Sequence, residues 1–176
     1  EAYLIWLSAQ RERLGTSPNE LAHALTLAER AIKLDPGFGR AYALLGYAHT
    51  QRGYFGYAED RKSSLHLGLE MAKKAIELAD GDWYGHMVYG QALMNTRAYE
   101  QALAQYDRAI ALNPANARLL AFSALPLTFL GRPDPAIIRL QTAMRLNPFY
   151  DWVPTQLMGQ ALYLKQEYEQ SALRLE

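Results

Sequence analysis

The residues that could carry acid–base or metal chemistry are few and scattered along the chain. No two of the four histidines, His23, His49, His66 and His86, have a metal-binding spacing. Cysteine is absent, which removes disulfides, thiolate metal sites and thiol catalysis. The glycines are not clustered into a phosphate-binding loop. The sequence therefore predicts no catalytic residue, no metal site and no cofactor, and we do not expect an enzyme.

Asp80-Gly81-Asp82 places two carboxylates two residues apart, a pattern that could bind a cation. The triplet stands where other segments of the chain carry Asn-Pro or Asp-Pro, and residues of these types favour turns. We therefore interpret it as a turn between two helices. Asp82 is then expected to cap the helix that follows.

Basic side chains are concentrated in one segment, at Arg118, Arg132, Arg139 and Arg145. Over the whole chain, 18 basic and 18 acidic residues cancel, so the net charge favours neither nucleic acid nor an anionic membrane. No run free of acidic and basic residues is longer than 14 residues, whereas a membrane span needs ~20 apolar residues. We therefore predict no membrane-spanning segment and no nucleic-acid partner, and we expect a protein or peptide partner.

The elements that must position these residues recur along the chain with a period of ~34 residues. The spacing of apolar residues within each period is typical of helices and not of strands. Small residues and prolines recur at this period, as in the pairs Ala102 and Ala136, Ala109 and Ala143, and Pro114 and Pro148. We predict a single domain, residues 1–176, with repeats at 1–38, 39–82, 83–116, 117–150 and 151–176, the last of them incomplete.

This pattern resembles that of the tetratricopeptide repeat. The residues that carry the resemblance are Leu45-Gly46, Tyr89-Gly90, Ala102, Ala109, Pro36, Pro114 and Pro148. The resemblance implies an all-α solenoid of about ten helices, in five antiparallel pairs that form a right-handed superhelix. Small residues let the two helices of a pair approach closely, while larger apolar residues pack on the next pair. A lone pair could not bury that surface, so the repeats must stack.

The second repeat is about ten residues longer than the others, and we place the insertion at residues 53–63. It holds three aromatic residues, Tyr54, Phe55 and Tyr57, followed by a segment of mixed charge. We expect it to form a loop. Two interpretations remain open, because the aromatic side chains could tuck onto neighbouring helices or could contact a ligand or partner.

The first helix of each pair lines the concave face of such a solenoid. Counting inward-facing positions in each repeat predicts a groove formed by Arg40, Tyr47, Tyr84, Met87, Gln91, Arg118, Phe122, Gln156, Gln160 and Tyr163. Chaperone adaptors of this family hold a terminal carboxylate with lysine and asparagine, and these positions lack lysine, so we expect no carboxylate clamp. An extended or helical apolar segment, from another chain or from the same polypeptide, is expected to pack on Tyr47, Met87 and Phe122. Alternatively, some of these side chains fill the interior of a tight superhelix.

Several segments of the sequence resemble a narrower group of proteins than the general repeat pattern does. They are residues 41–45, residues 54–57, residues 108–114, and residues 143–152 followed by Gly159-Gln160-Ala161. They resemble the C-terminal repeat regions of bacterial class III adenylate or guanylate cyclases and of related winged-helix transcriptional regulators. The resemblance implies a regulatory or interaction role beside a separate active or DNA-binding domain. Separately, we expect a cytoplasmic location. A free-standing adaptor or scaffold is the third alternative.

The two ends of the sequence fall within the repeat pattern, so we expect the chain to be part of a longer protein. The incomplete last repeat is expected to leave apolar residues such as Leu162, Ala172 and Leu173 uncovered. We therefore predict a homodimer formed through this end. The resemblance to the cyclases agrees with it, since their catalytic domains act as dimers.

Overall fold

The computed structural model describes residues 1–11, 15–149 and 152–165. Over these residues it contains nine α-helices and no β-strand, which confirms the all-α prediction. The helices are α1 (Ala2–Arg11), α2 (Pro18–Leu34), α3 (Gly39–Phe55), α4 (Arg61–Leu78), α5 (Trp83–Asn95), α6 (Tyr99–Leu112), α7 (Ala117–Phe129), α8 (Pro133–Leu146) and α9 (Trp152–Leu164). The expected tenth helix falls outside the described residues.

The helices divide into two compact units, Glu1–Arg97 and Ala98–Glu176, which we call unit 1 and unit 2. In unit 1 each of the helices α1 to α5 packs on the next, and α3 also packs on both α1 and α5. In unit 2, α6 to α9 pack in sequence and α7 also packs on α9. Unit 1 therefore holds the pairs α1–α2 and α3–α4 followed by α5, and unit 2 holds α6, the pair α7–α8 and α9. The single domain and the handedness of the superhelix stay predictions.

Small residues line the buried faces of the helices α2, α4, α6 and α8. Fully buried alanines recur at Ala24 and Ala28 in α2, Ala72 in α4, Ala102 and Ala109 in α6, and Ala136 and Ala143 in α8. Because alanine ends at Cβ, the neighbouring helix can approach until side chains and backbone are in contact. The larger core residues of unit 2, among them Leu120, Leu140 and Leu157, fill the remaining space.

The closest approach is between α3 and α4, where two glycines face each other. A Cβ atom added at Gly46 would lie 2.9 Å from the backbone nitrogen of Ala72 and 3.0 Å from the carbonyl oxygen of Gly68. A Cβ atom at Gly68 would overlap the hydroxyl of Thr50. Real Cβ atoms do not come this close to backbone, so this pair of helices requires glycine at both positions.

The expectation of a loop over residues 53–63 was wrong for most of that segment. Residues 53–55 are the last turn of α3 and residues 61–63 the first turn of α4, so only residues 56–60 form a turn. Helices α3 and α4 have 17 and 18 residues, four more than α5 and α6 respectively. Four residues make about one helical turn, so the lengthened helices keep the same faces in contact. Buried Gly53 accordingly lies against the side chain of Leu65.

The prediction that Leu162 lies uncovered at the end of the last repeat was wrong. Leu162 is only 5% exposed and belongs to the core of unit 2, together with Leu140 and Met158. It is buried because α9 packs on both α7 and α8. Ala172 and Leu173, the other residues of that prediction, lie outside the described residues.

We predict that Ala109→Glu lowers the free energy of unfolding by about 3 kcal/mol or more, because it overpacks a close helix contact and buries a charge. Ala111→Glu, on the exposed side of the same helix, should change it by less than about 0.5 kcal/mol. Urea unfolding followed by circular dichroism measures both values. Equal stability of the two variants would contradict the burial of Ala109.

Candidate functional site

In unit 1 the predicted groove residue Arg40 is held by side chains from two other helices. Its guanidinium donates to both carboxylate oxygens of Asp82, with Nη2 at 3.2 Å from Oδ1. The same Oδ1 accepts a hydrogen bond from the backbone N–H of Tyr84 at 3.2 Å. Asp82 therefore caps α5, as predicted, and also pairs with the start of α3.

Aromatic rings surround this ion pair. The guanidinium of Arg40 lies 4.4 Å from the centre of the Trp6 ring, a cation–π contact. Trp6 stacks on Tyr3 at 5.8 Å and meets Tyr84 edge-on at 6.2 Å. Residues from α1, α3 and α5 thus meet in one place, which we call the Arg40 cluster. Its charges are satisfied internally, so the cluster joins three helices and does not present a free cation to a ligand.

Other predicted groove residues of unit 1 expose little surface. Tyr47, Tyr84 and Met87 are 4%, 6% and 4% exposed, and Gln91 is half-buried. The first three side chains belong to the interior of the stack. Within this unit, Arg40 and Gln91 are the predicted groove residues that keep part of their surface.

The predicted groove residues of unit 2 are more accessible. On α7, the guanidinium of Arg118 lies 5.6 Å from the ring centre of Phe122, and Arg118 is exposed. On α9, Gln156, Gln160 and Tyr163 are all exposed. Because α7 packs on α9 and each set is spaced by three or four residues, each helix presents a polar and aromatic strip. We call these five residues the α7–α9 surface.

Arg118 interacts electrostatically with the buried phenol of Tyr106. Burial raises the pKa of Tyr106, and the positive charge of Arg118 opposes that effect. Tyr106 is fully buried in α6, so it is a core residue and not a proton donor at neutral pH. Arg118 is therefore an exposed cation that lies over the ring of Phe122.

The other candidate chemical residues have structural roles. His86 donates its Nε2–H to the backbone oxygen of Asp80 at 2.8 Å, inside the turn before α5. Asp82 caps that helix, which confirms the turn interpretation of residues 80–82. Within the described residues, no three histidine or acidic side chains come close enough to hold a metal ion together. None of the helices described is both long and apolar enough to cross a membrane.

Sequence reasoning found Arg40 and Tyr84 but missed Trp6 as a member of the same cluster. Trp6 lies in α1, in the first repeat, whereas the predicted groove positions start in the second repeat, at Gly39. Its indole Nε1 is buried without a hydrogen-bond partner among the described residues. The sequence signal that could have placed Trp6 in this cluster is its position as an aromatic residue in the first helix of a repeat.

Comparison with known sequences identifies the repeat type. Residues 83–116 match the sequence model of the tetratricopeptide repeat. Over 101 residues the chain is 31% identical to anaphase-promoting complex subunit 3 of Schizosaccharomyces pombe. That alignment covers 57% of this chain and 14% of the relative, so the chain spans only a small part of that protein's length.

Solved structures share the fold over most of the chain. The thermophilic tetratricopeptide-repeat protein TTC0263 of Thermus thermophilus superposes with a TM-score of 0.73 at 21% identity, covering 99% of this chain and 88% of its own. MamA of Desulfovibrio magneticus gives 0.66 at 20% identity, covering 99% and 90%. YrrB, described as a tetratricopeptide-repeat protein with an unusual peptide-binding site, gives 0.63 at 20% identity, covering 89% and 75%. The fold is therefore that of a tetratricopeptide-repeat solenoid.

We predict that Asp82→Ala lowers the free energy of unfolding by about 2 kcal/mol, because it removes both the cap of α5 and the ion pair with Arg40. Asp82→Ser keeps a capping oxygen and loses only the ion pair, so about half of that loss is expected. Urea unfolding measures both. If Asp82→Ser were as stable as the parent chain, the ion pair with Arg40 would contribute nothing.

Proposed function

We propose that this tetratricopeptide-repeat chain is a non-catalytic interaction module that binds a protein or peptide segment on the first helices of its repeats. The observation that carries the proposal is the α7–α9 surface, where exposed amides lie beside an exposed cation and two aromatic rings. A surface of this composition can bind without any chemical step. The titratable residues of the Arg40 cluster and of the turn at residues 80–82 are engaged in holding the fold.

The chemistry of the α7–α9 surface favours an extended segment with apolar side chains. The amides of Gln156 and Gln160 can each donate to and accept from a peptide backbone. Phe122 and Tyr163 offer rings for apolar side chains, and aromatic residues often dominate binding energy in such contacts. Arg118 adds a positive charge that a carboxylate of the segment could approach. Binding of a peptide by the related fold of YrrB agrees with this proposal.

In unit 1 the predicted groove is proposed to contribute less contact surface. Tyr47 and Met87 are buried, so replacing them with serine should first lower the stability of the fold. In this unit Gln91, which is half-buried, keeps part of its surface available for a contact. Measuring both the stability and the peptide affinity of such variants distinguishes a residue that packs the core from one that contacts the peptide.

We predict that Phe122→Ser and Gln160→Ala each weaken peptide binding about tenfold, because each removes a contact made only in the complex. The probes are peptides enriched from a random phage-displayed library on the parent chain and then titrated by calorimetry. Gln141→Ala, at an exposed glutamine on the second helix of its pair, is the matched control. Unchanged affinities for Phe122→Ser and Gln160→Ala would contradict the proposed surface, as would an equal loss in Gln141→Ala.

We also propose that the module is the C-terminal part of a larger bacterial signalling protein such as a nucleotide cyclase, acting in the cytoplasm. The segment at residues 143–152, which resembles the repeat regions of these cyclases, supports this proposal. A winged-helix regulator and a free-standing adaptor are the alternatives. The coding sequence upstream of Glu1 decides among them, because a cyclase domain, a winged helix or neither would be encoded there.

A homodimer is part of the same proposal, and Tyr163 and Leu164 at the end of α9 supply exposed apolar surface for it. We predict a concentration-dependent increase in mass towards twice 19.9 kDa, and Leu164→Lys should shift this increase to higher concentration by burying a charge. Light scattering at several concentrations measures it. A mass that stays monomeric, in this chain and in a longer one, would contradict the homodimer.

A further inference from the structure

A cluster of aromatic residues lies where α3 ends and the turn to α4 begins, beyond the end of the neighbouring helix α5. In unit 1, α3 packs on α5 but has four more residues at its C-terminal end. At 1.5 Å per residue, α3 extends about 6 Å further than α5. Tyr54, Phe55 and Tyr57 lie at this end, which we call the hairpin tip, residues 52–62.

The three aromatic side chains are exposed and contact one another. Tyr54, Phe55 and Tyr57 are 59%, 42% and 42% exposed. Phe55 meets Tyr54 edge-on at 5.0 Å and stacks on Tyr57 at 5.7 Å. One interpretation of this segment was that these side chains tuck onto neighbouring helices; each keeps at least 42% of its surface exposed, so they are not fully packed there. The fold leaves this apolar surface in contact with water. Transferring aromatic rings out of water is favourable, so the tip can gain free energy by contact with an apolar partner.

The backbone fixes the position of these rings. Gly56 takes a left-handed conformation with φ of 76°, and the N–H of Tyr57 donates to the carbonyl of Arg52 at 2.9 Å. This bond closes the last turn of α3 and holds Tyr57 beside Phe55. Asp60 then starts α4 by accepting hydrogen bonds from the backbone N–H groups of Lys62 and Ser63. The aromatic cluster is therefore ordered before any partner binds.

Charges at the hairpin tip are more positive than the neutral total of the chain. Arg61 and Lys62 are exposed and Arg52 is half-buried, and none of the three forms an ion pair with another described residue. Of the two acids nearby, Asp60 is engaged at the start of α4, and Glu59 is exposed. Cationic side chains therefore flank the aromatic rings with a small local excess of positive charge.

We propose that the hairpin tip binds reversibly to the surface of an anionic lipid membrane. Tyrosine rings, apolar with one polar end, favour the boundary between lipid headgroups and acyl chains. Arginine and lysine beside them are attracted to anionic headgroups. This contact lies on the surface of the bilayer and needs no membrane-spanning helix.

The size and shape of the tip favour this partner over a second copy of the chain. Three partly exposed aromatic residues offer roughly 300 Å² of surface, whereas a stable protein interface buries about 800 Å² on each partner. A lipid surface requires neither a large area nor a matching pocket, since a few inserted rings and nearby cations already give weak binding.

The test is co-sedimentation of the parent chain with vesicles of phosphatidylcholine containing phosphatidylserine, at low and at high salt. We expect binding at low salt that weakens at high salt, and little binding to vesicles of phosphatidylcholine alone. The triple variant Tyr54→Ser, Phe55→Ser, Tyr57→Ser should bind the vesicles with an affinity reduced about tenfold or more. Arg61→Gln with Lys62→Gln should also weaken binding and reduce its dependence on salt.

Phe149→Ser is the matched control, because it removes an almost fully exposed aromatic residue in unit 2 and should leave vesicle binding unchanged. Circular dichroism and thermal melts verify that each variant folds. Absence of binding by the parent chain, or equal binding by the triple variant, overturns the proposal and leaves the tip as a contact for a protein partner. Gln160→Ala should bind vesicles normally, so failure of this proposal is distinguishable from failure of the peptide site.

Discussion

Close approach between neighbouring helices within each unit is the constraint on which this structure depends. At the tightest contact, a single added Cβ atom at Gly46 would meet backbone atoms of α4 at 2.9 to 3.0 Å. Alanines buried in the second helices serve the same purpose in the other pairs. Because the small residues recur with the repeat, helices of successive repeats can pack closely within each unit.

The second repeat shows how such a stack accepts extra residues. Eight of its additional residues lengthen α3 and α4 by one turn each, and the turn between them, residues 56–60, is two residues longer than the turn between α7 and α8. Since a full turn restores the same helix face, Gly53 continues the contact with α4 that Gly46 begins. An insertion of two residues per helix would instead have rotated the end of each face out of contact. The aromatic hairpin tip is a consequence of this extension.

Equivalent positions in different repeats have different environments. Arg40 and Arg118 are each the second residue of the first helix in their repeats, and each lies over an aromatic ring. Arg40 is paired with Asp82, half-buried, and joins three helices, whereas Arg118 is exposed on the α7–α9 surface. Asp151, which stands before α9 as Asp82 stands before α5, lies outside the described residues. Repeat position alone therefore does not distinguish a structural arginine from one that can meet a ligand.

The sequence alone determined the helical class, the repeat period and local features such as the cap at Asp82, because these depend on residues a few positions apart. It could not determine the helical extension at residues 53–63, since glycine and aromatic residues there are equally compatible with a loop. Only the tertiary structure decided that Tyr47 and Met87 are buried while Gln156 and Gln160 are exposed. All four were predicted to line one face, but burial depends on how closely neighbouring first helices pack. The same holds for Trp6 and Asp82, whose contacts with Arg40 join residues far apart in the chain.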